Sequence, residues 1–257
     1  MLTIDLEDRV ALVVGGSRGI GGAITRMLAQ AGAFVIFTHA DPPDRDNAAR
    51  DLLAQVRQQG GNAEGVRLDA SDAKGTTALA DRIAKEHLRL DVLVYNVGRN
   101  LARPVEQVTD EDWHKFLDWN LTSAFYSVRA VLPHMLRTGR GRIILIGSSA
   151  VYDGGGGAID YAAPKAGLTG MMTYLTRQYA RKGVLTNVVH PCVIDTDLLR
   201  ERYGSAEKRA DLTAQIPAGR LGKPEDIAGL VAYLASSWGD YICGQSILAD
   251  GGRTLFR

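Results

Sequence analysis

The sequence predicts an α/β fold, a doubly wound parallel sheet of about seven strands with helices on both faces. Two observations carry that expectation. Short β-rich apolar runs alternate with longer stretches of helical spacing, and most of the runs are continuously apolar, as strands covered on both faces require. The runs are RVALVVG at 9–15, AFVIFTH at 33–39, EGVRLDA at 64–70, DVLVYNV at 91–97, GRIILIGS at 141–148, VLTNVVHP at 184–191 and QSILADGG at 245–252. Between them, Ile24, Leu28 and Ala31 mark the inner face of a first helix, and Leu52, Val56 and Gln59 that of a second. DPPDRDN at 41–47 is the most linker-like segment, yet seven residues directly after a strand read as a βα loop. No domain boundary is expected, so residues 1–257 are read as one domain.

Composition narrows the function classes. Hydrophobic residues at 46% and charged residues at 23% are the proportions of a folded soluble chain, and 257 residues suffice for one large core. Thirty Lys and Arg against 29 Asp and Glu give a net charge of +1, which leaves no basic footprint for nucleic acid or an anionic membrane. Cys192 and Cys243 lie far apart, and His39, His87, His114, His134 and His190 show no ligand spacing, so neither a disulfide framework nor a metal site is expected. The acidic start MLTIDLEDR lacks the basic head and apolar run of a signal peptide, and no 18-residue apolar window follows. The expectation is a soluble, cytoplasmic protein. Trp113, Trp119 and Trp238 read as core or interface residues.

The first run leads into GGSRGIGGA, where Gly15, Gly19 and Gly21 follow a G-x-x-x-G-x-G spacing. A glycine loop between a buried strand and a helix lets the backbone approach a pyrophosphate, while the helix N–H groups and dipole face its charge. A tight turn is the alternative. This loop resembles the cofactor loop of the short-chain dehydrogenase/reductase family, with Val14 where a threonine is usual. The resemblance extends along the chain through LDA with Asp69, YNVG with Asn96 and Gly98, WNLTSAF with Asn120, GRIILIGSS, YAAPK, HPCVIDTD and GRLGKPEDIAGLVAYLASSWGDYICGQSILADGG. It implies a Rossmann-type fold and a nicotinamide cofactor bound by Gly15, Ser17, Arg18, Gly19, Ile20, Gly21, His39, Asp69, Asn96, Gly98, Ile194 and Thr196, together with Tyr161 and Lys165. Tyr95 and Val97 depart from the family's N-N-A-G, and Cys192 stands where glycine is usual, read either as a nucleophile beside the nicotinamide or as a reduced structural thiol.

An acid ending the second strand would bond the adenine ribose 2′-OH and repel a 2′-phosphate. His39 and Ala40 occupy that place, and Arg18 in the glycine loop supplies a cation for a phosphate. These residues favour NADP(H). NAD(H) is the alternative, with Asp41 reaching back to the ribose and Arg18 a solvated loop residue.

Carbonyl reduction needs a proton donor at the substrate oxygen and a second hydrogen bond to hold that oxygen as charge develops. A phenol serves if an ammonium close by lowers its pKa. Tyr161 and Lys165 are four apart and share a helix face, whereas Tyr152 has Gly156 at that offset and reads as a substrate-pocket wall. Asp160 is expected to cap this helix, with Pro164 in its first turn. The resemblance places the catalytic serine thirteen residues before the tyrosine, at Ser148. Ser149, its neighbour on an extended segment, is expected to point elsewhere. Asn120 matches the residue that holds a water in the proton relay. The implied roles are proton exchange by Tyr161, a hydrogen bond from Ser148 to the substrate oxygen, and Lys165 lowering the phenol pKa and binding the nicotinamide ribose.

Substrate loops are expected near 149–160 and 192–216. The run Gly154–Gly157 either makes room for a bulky substrate or forms a loop ordered on binding. GRLGKPEDIAGLVAYLAS is most similar to the 3-oxoacyl-acyl-carrier-protein reductase branch, which docks an acidic carrier on basic residues; Lys182 falls at one such position, Gly139 at the other, with Arg137 and Arg140 nearby. The alternatives are a small free ketone, polyol or sugar as substrate, or a nucleotide-sensing or scaffolding protein without catalysis. The resemblance also implies a homo-oligomer, usually a tetramer, formed through helices near 110–136 and 160–182 and the C-terminal strand.

Overall fold

The computed structural model describes residues 3–40 and 47–254, the side chains of Leu198 and Arg202 excepted. Each of the seven apolar runs forms a strand: β1 (Val10–Val14), β2 (Phe34–His39), β3 (Asn62–Arg67), β4 (Val92–Tyr95), β5 (Gly141–Ile146), β6 (Val184–Pro191) and β7 (Ser246–Ala249). They make one parallel sheet in the order β3-β2-β1-β4-β5-β6-β7. The order reverses between β1 and β4, and in such sheets the crevice beyond the carboxyl ends of these strands is where ligands bind.

The helices are α1 (Gly19–Gln30), α2 (Asn47–Gln58), α3 (Ala73–Glu86), α4 (Asp110–Leu117), α5 (Ser123–Thr138), α6 (Ala150–Asp153), α7 (Ile159–Tyr179), α8 (Asp197–Arg202), α9 (Ala206–Ala214) and α10 (Pro224–Ala235). Alternate strand residues feed two cores. Val13, Phe37 and Val189 pack with Ile24, Leu28, Leu52 and Val56 of α1 and α2 and Ile227 and Val231 of α10. Leu12, Leu93 and Leu145 pack on the opposite face with Ile83 of α3, Val131 of α5 and Leu168 and Met172 of α7. The central strands β1, β4 and β5 are buried throughout, whereas β3 and β7 at the two edges are largely half-exposed. That difference explains why EGVRLDA is the least apolar run. No helix among the described residues is long and apolar enough to cross a membrane.

The predicted helix near 110–136 is interrupted. α4 and α5 are joined by one wide π-helical turn, Asp118–Thr122, which contains Asn120. Such turns need a local lock, because they leave the ordinary hydrogen-bond ladder. Tyr95, which stands where the family has asparagine, supplies it: its fully buried hydroxyl lies 2.8 Å from the Trp119 carbonyl and 2.6 Å from Ser123 Oγ, and Ser123 Oγ donates to the same carbonyl at 3.0 Å. Burial holds the Tyr95 phenol well above its ordinary pKa, so it stays protonated and able to donate.

Replacing Tyr95 by Phe removes this bond from a buried site. The expected cost is about 1–2 kcal/mol, equivalent to a Tm lower by roughly 2–8 °C in thermal unfolding of a chain this size.

Candidate active site

The glycine loop is shaped by close approach. A Cβ on Gly21 would stand 2.0 Å from the Gly15 carbonyl oxygen, so only glycine lets α1 start so near β1. Gly15 (φ +78°) donates to Thr38 Oγ1 at 3.2 Å, and its carbonyl accepts from Asn96 Nδ2 at 2.9 Å, which joins the ends of β1, β2 and β4. Arg18 is exposed and extended at the start of α1, whose first N–H groups have no side-chain cap. Ser17 and Gly21 are buried, Ile20 is half-buried, and Gly19 lies beside Thr196, the cap of α8.

A cleft of about 50 Å³ opens here, lined by Gly15, Thr38, His39, Asp69, Val97 and Arg99 among others. His39 is buried, and the Asp69 carboxylate accepts from the N–H and Oγ of Ser71 at 2.9 and 2.7 Å. Asp41, the alternative ribose ligand, lies outside the described residues. The unfilled glycine cradle, the uncapped α1 and a cleft at the switch point fit a dinucleotide. A larger cavity of about 330 Å³ lies between Ile194, Ile216 and the turn Asp250–Gly252. It contains none of Asn120, Ser148, Tyr161 or Lys165, so size does not mark the chemistry here.

Those four residues gather at the ends of β4 and β5. Lys165 is 2% exposed, and its ammonium donates to the carbonyls of Ile146 at 2.8 Å and Val97 at 3.1 Å. Its Nζ is 6.0 Å from the centre of the Tyr161 ring. Gly98 lies against it, and a Cβ there would stand 3.0 Å from Nζ. Burial pushes the Lys165 pKa down to about 7. Asn120 is fully buried and reciprocates with the backbone of Arg99: Oδ1 accepts from its N–H and Nδ2 donates to its carbonyl, both at 3.0 Å, with a further bond from Nδ2 to the Phe116 carbonyl. Ser148 Oγ accepts from the Ala150 N–H at 3.2 Å, and His190 Nδ1 lies 3.2 Å from the Ser148 nitrogen and 3.0 Å from its carbonyl oxygen. Burial, and secondarily the Lys165 charge, lowers the His190 pKa against an opposing hydrogen bond to the Ser148 backbone. A neutral imidazole therefore sits beneath the serine.

Several details differ from the sequence expectations. Asp160 does not cap α7. The helix starts two residues earlier, Ala158 is the cap position without a side-chain bond, and the Asp160 carboxylate turns inward to Arg103 Nη2 at 2.5 Å. Pro164 consequently lies in the second turn, and the helix continues through it. Ser149 is separated from Ser148 by helical backbone (φ −58°, ψ −20°) at the entry to α6, where no strand pleat operates. Tyr152 hydrogen-bonds Ser246 Oγ of β7 at 2.7 Å and packs edge-on against His190, so its hydroxyl is turned to the sheet edge. Ile194 pairs with Gly222 across a short bridge. Cys192 is a half-buried free thiol that accepts from Arg253 Nη1 at 3.2 Å.

The glycine run has a conformational cause. Gly154, Gly156 and Gly157 have φ of +64°, +81° and +72°, and a Cβ on Gly156 would meet the Tyr161 ring at 3.2 Å. Sequence reasoning missed Arg99, Asn100, Arg103 and His190. The first three lie in RNLAR after β4, which has no periodicity to single them out, and RP at 103–104 is its only turn signal.

The buried Lys165 makes stability depend on pH. The unfolded chain keeps this proton to about pH 10.4, whereas the folded chain releases it near 7. Between those values the unfolded state binds more protons, so this contribution to stability rises with pH. Lys165→Met abolishes it: in thermal scans of cofactor-free protein, the Tm advantage of the variant over the parent is expected to shrink from pH 6.5 to pH 9.5.

Residues 14–254 match the family model described as Enoyl-(Acyl carrier protein) reductase. The chain is 39% identical to the 3-oxoacyl-[acyl-carrier-protein] reductase FabG of Escherichia coli (strain K12) over 249 residues, 97% of this chain and 98% of that one. It is 35% identical to FabG of Haemophilus influenzae, covering 97% and 100%. Among solved structures, the short-chain dehydrogenase/reductase of Serratia marcescens superposes with a TM-score of 0.88 at 35% identity, covering 97% and 99%. A candidate NAD(P)-dependent gluconate 5-dehydrogenase from Beutenbergia cavernae, with NADP bound at low occupancy, gives 0.91 at 33% identity, covering 99% and 100%. The chain belongs to the short-chain dehydrogenase/reductase family and is an NAD(P)-dependent oxidoreductase acting on CH–OH and C=O groups.

Proposed function

We propose that the protein uses NADP(H) to interconvert a carbonyl and a secondary alcohol, with Asn120, Ser148, Tyr161 and Lys165 as its catalytic set and a 3-oxoacyl thioester as its substrate class. The observation that carries this reading is the gathering of those four residues at the ends of β4 and β5, next to the glycine cradle. The nicotinamide supplies or accepts the hydride. Gly15, Ser17, Gly19, Ile20, Gly21, Asp69, Asn96, Gly98, Ile194 and Thr196 line its site, and the uncapped N–H groups of α1 face its phosphates.

Tyr161 exchanges a proton with the substrate oxygen, and Ser148 donates a hydrogen bond that strengthens as charge develops there. The Lys165 ammonium favours the phenolate of Tyr161. Burial disfavours its charge, and the nicotinamide ribose oxygens that it would bind would favour it. Asn120 keeps the β4 exit in place through Arg99 and supports the water chain to Lys165. Arg18, exposed at the start of α1, and His39, which lines the cleft, would meet the 2′-phosphate, with no acid among the described residues at the end of β2. Tyr152, the half-buried Ser148 and Tyr161 border the substrate loop.

The full-length similarity to 3-oxoacyl-[acyl-carrier-protein] reductases supports the thioester class and carrier docking. Lys182, exposed with Nζ 5.3 Å from the Tyr179 ring centre, and the neighbouring Arg137 and Arg140 form the basic docking face. A second reading, a free polyol or sugar, rests on the similarity to the gluconate 5-dehydrogenase candidate. The half-exposed β7 and exposed Phe125, Tyr174 and Trp238 support a homotetramer. A cytoplasmic location accords with this assignment.

In an NADPH oxidation assay over acyl thioesters and free ketones, Tyr161→Phe is expected to lower kcat/KM at least about 100-fold; a variant as active as the parent would overturn the assignment. Arg18→Ala is expected to raise the Kd for NADPH about tenfold while leaving that for NADH unchanged, the loss of one charge-assisted phosphate bond. An NADH preference untouched by the substitution would refute the phosphate assignment.

A further inference from the structure

The segment leaving β4 touches Lys165, Asn120 and the glycine run. Val97 accepts from Lys165, Arg99 is clasped by Asn120, and Asn100 Nδ2 donates to the Gly156 carbonyl at 2.9 Å. Arg103 completes the series. Its backbone N–H donates to the Gly157 carbonyl at 2.8 Å, and its guanidinium spans two carboxylates, Asp160 at 2.5 Å and Asp112 of α4 at 2.8 Å, while lying over the Phe116 ring. The Asp160 side chain is 0% exposed and that of Arg103 12%, whereas Asp112 is 31% exposed. Asp160 immediately precedes Tyr161 in the first turn of α7.

A fully buried carboxylate is a poor way to begin a helix unless something fixes it there. Here the second oxygen of Asp160 and Nε of Arg103 are buried with no hydrogen-bond partner among the described residues. The pair is therefore maintained with unmet hydrogen-bonding capacity on both members, a poor bargain as stabilisation alone. With the Arg103 backbone and Asn100 holding the glycine loop at Gly157 and Gly156, the pair joins two things that catalysis must keep in register: the first turn carrying Tyr161, and α4, which leads into the π turn of Asn120.

We propose that Arg103 and Asp160 are positioning residues: their buried ion pair sets the Tyr161 phenol relative to Lys165 by tying the first turn of α7 to the β4 exit and α4. The proposal rests on the reading of Tyr161 as the proton donor. Neither residue touches the reacting atoms. Arg103 acts by fixing the chain that leads into the tyrosine, at Gly157 and Asp160, and the distinctive consequence of losing the pair is a proton-transfer step out of register while cofactor affinity is retained.

The test separates positioning from folding. Removing one charge strands the other in a dry site, so each single deletion is expected to lower Tm. The double variant Arg103→Met with Asp160→Leu removes both charges and keeps the volume apolar. It is expected to fold, to bind NADPH with a Kd within about twofold of the parent by fluorescence titration, and to lose at least about tenfold in kcat, with the pH–rate limb belonging to Tyr161 moved. Arg103→Lys, which retains the charge but not the two-carboxylate fork, is expected to fall between. If the double variant does not fold, Asp160→Asn carries the same measurements. Parental kcat with an unmoved pH limb in the folded variant would overturn the proposal, as would a loss of kcat that merely tracks Tm and weakened NADPH binding. Failure of the proposal is distinguishable from failure of the functional reading, because Tyr161→Phe then remains inactive while the Arg103 and Asp160 variants keep the parental rate.

Discussion

The structure around the site depends on one buried cation. The Lys165 ammonium bonds the backbone carbonyls that end β4 and β5, and through them α7 is fastened to the sheet at the point where the strands open toward the cleft. Taking an ammonium out of water is costly, and two neutral carbonyls compensate it only in part, which is why burial drives its pKa to about 7. A lysine at this position would be a liability in a protein that only had to fold. It is held by the carbonyls that end β4 and β5, and a charge that burial disfavours responds strongly to anionic or oxygen-rich groups placed beside it.

The surroundings of that cation are built from contacts between segments distant in sequence. His190 from β6 sits neutral under Ser148, and Tyr152 reaches across to Ser246 of β7. Tyr95 steadies the π turn in which Asn120 faces the β4 exit. Tyr95, Asn120 and His190 are buried polar groups with named partners, and loss of one partner leaves a buried group unsatisfied. The departures from the family pattern become intelligible here. Tyr95 replaces an asparagine yet takes on a structural bond to the π turn, and Cys192, where glycine is usual, accepts from Arg253.

Much of the fold was legible in the chain. Apolar runs identified all seven strands, and the central ones are continuously apolar because a parallel sheet covered on both faces imposes that composition. The β1 loop was readable because only glycine permits an approach as close as Gly21 to Gly15. Tyr161 and Lys165 were readable because a four-residue offset puts two side chains on one helix face. The start of α7 was misplaced because Asp160 has the chemistry of a cap and its partner Arg103 is 57 residues away. Ser149 was assigned to a strand pleat although the chain had already turned into α6. The glycine run was read for space or mobility, whereas three of its four residues require left-handed backbone.

Sequence alone therefore determined what depends on local covalent geometry and periodicity: strand and helix order, the glycine turn, the shared face of Tyr161 and Lys165, and the absence of a charge asymmetry that would call for nucleic acid. Tertiary structure alone decided which backbone carbonyls receive the lysine, which imidazole underlies the serine, and which arginine meets the carboxylate before the tyrosine. These pairings join residues from 19 to 68 positions apart. Hydrogen bonds and ion pairs in a dry interior are set by distance and desolvation, and neither exists until the sheet has brought the segments together.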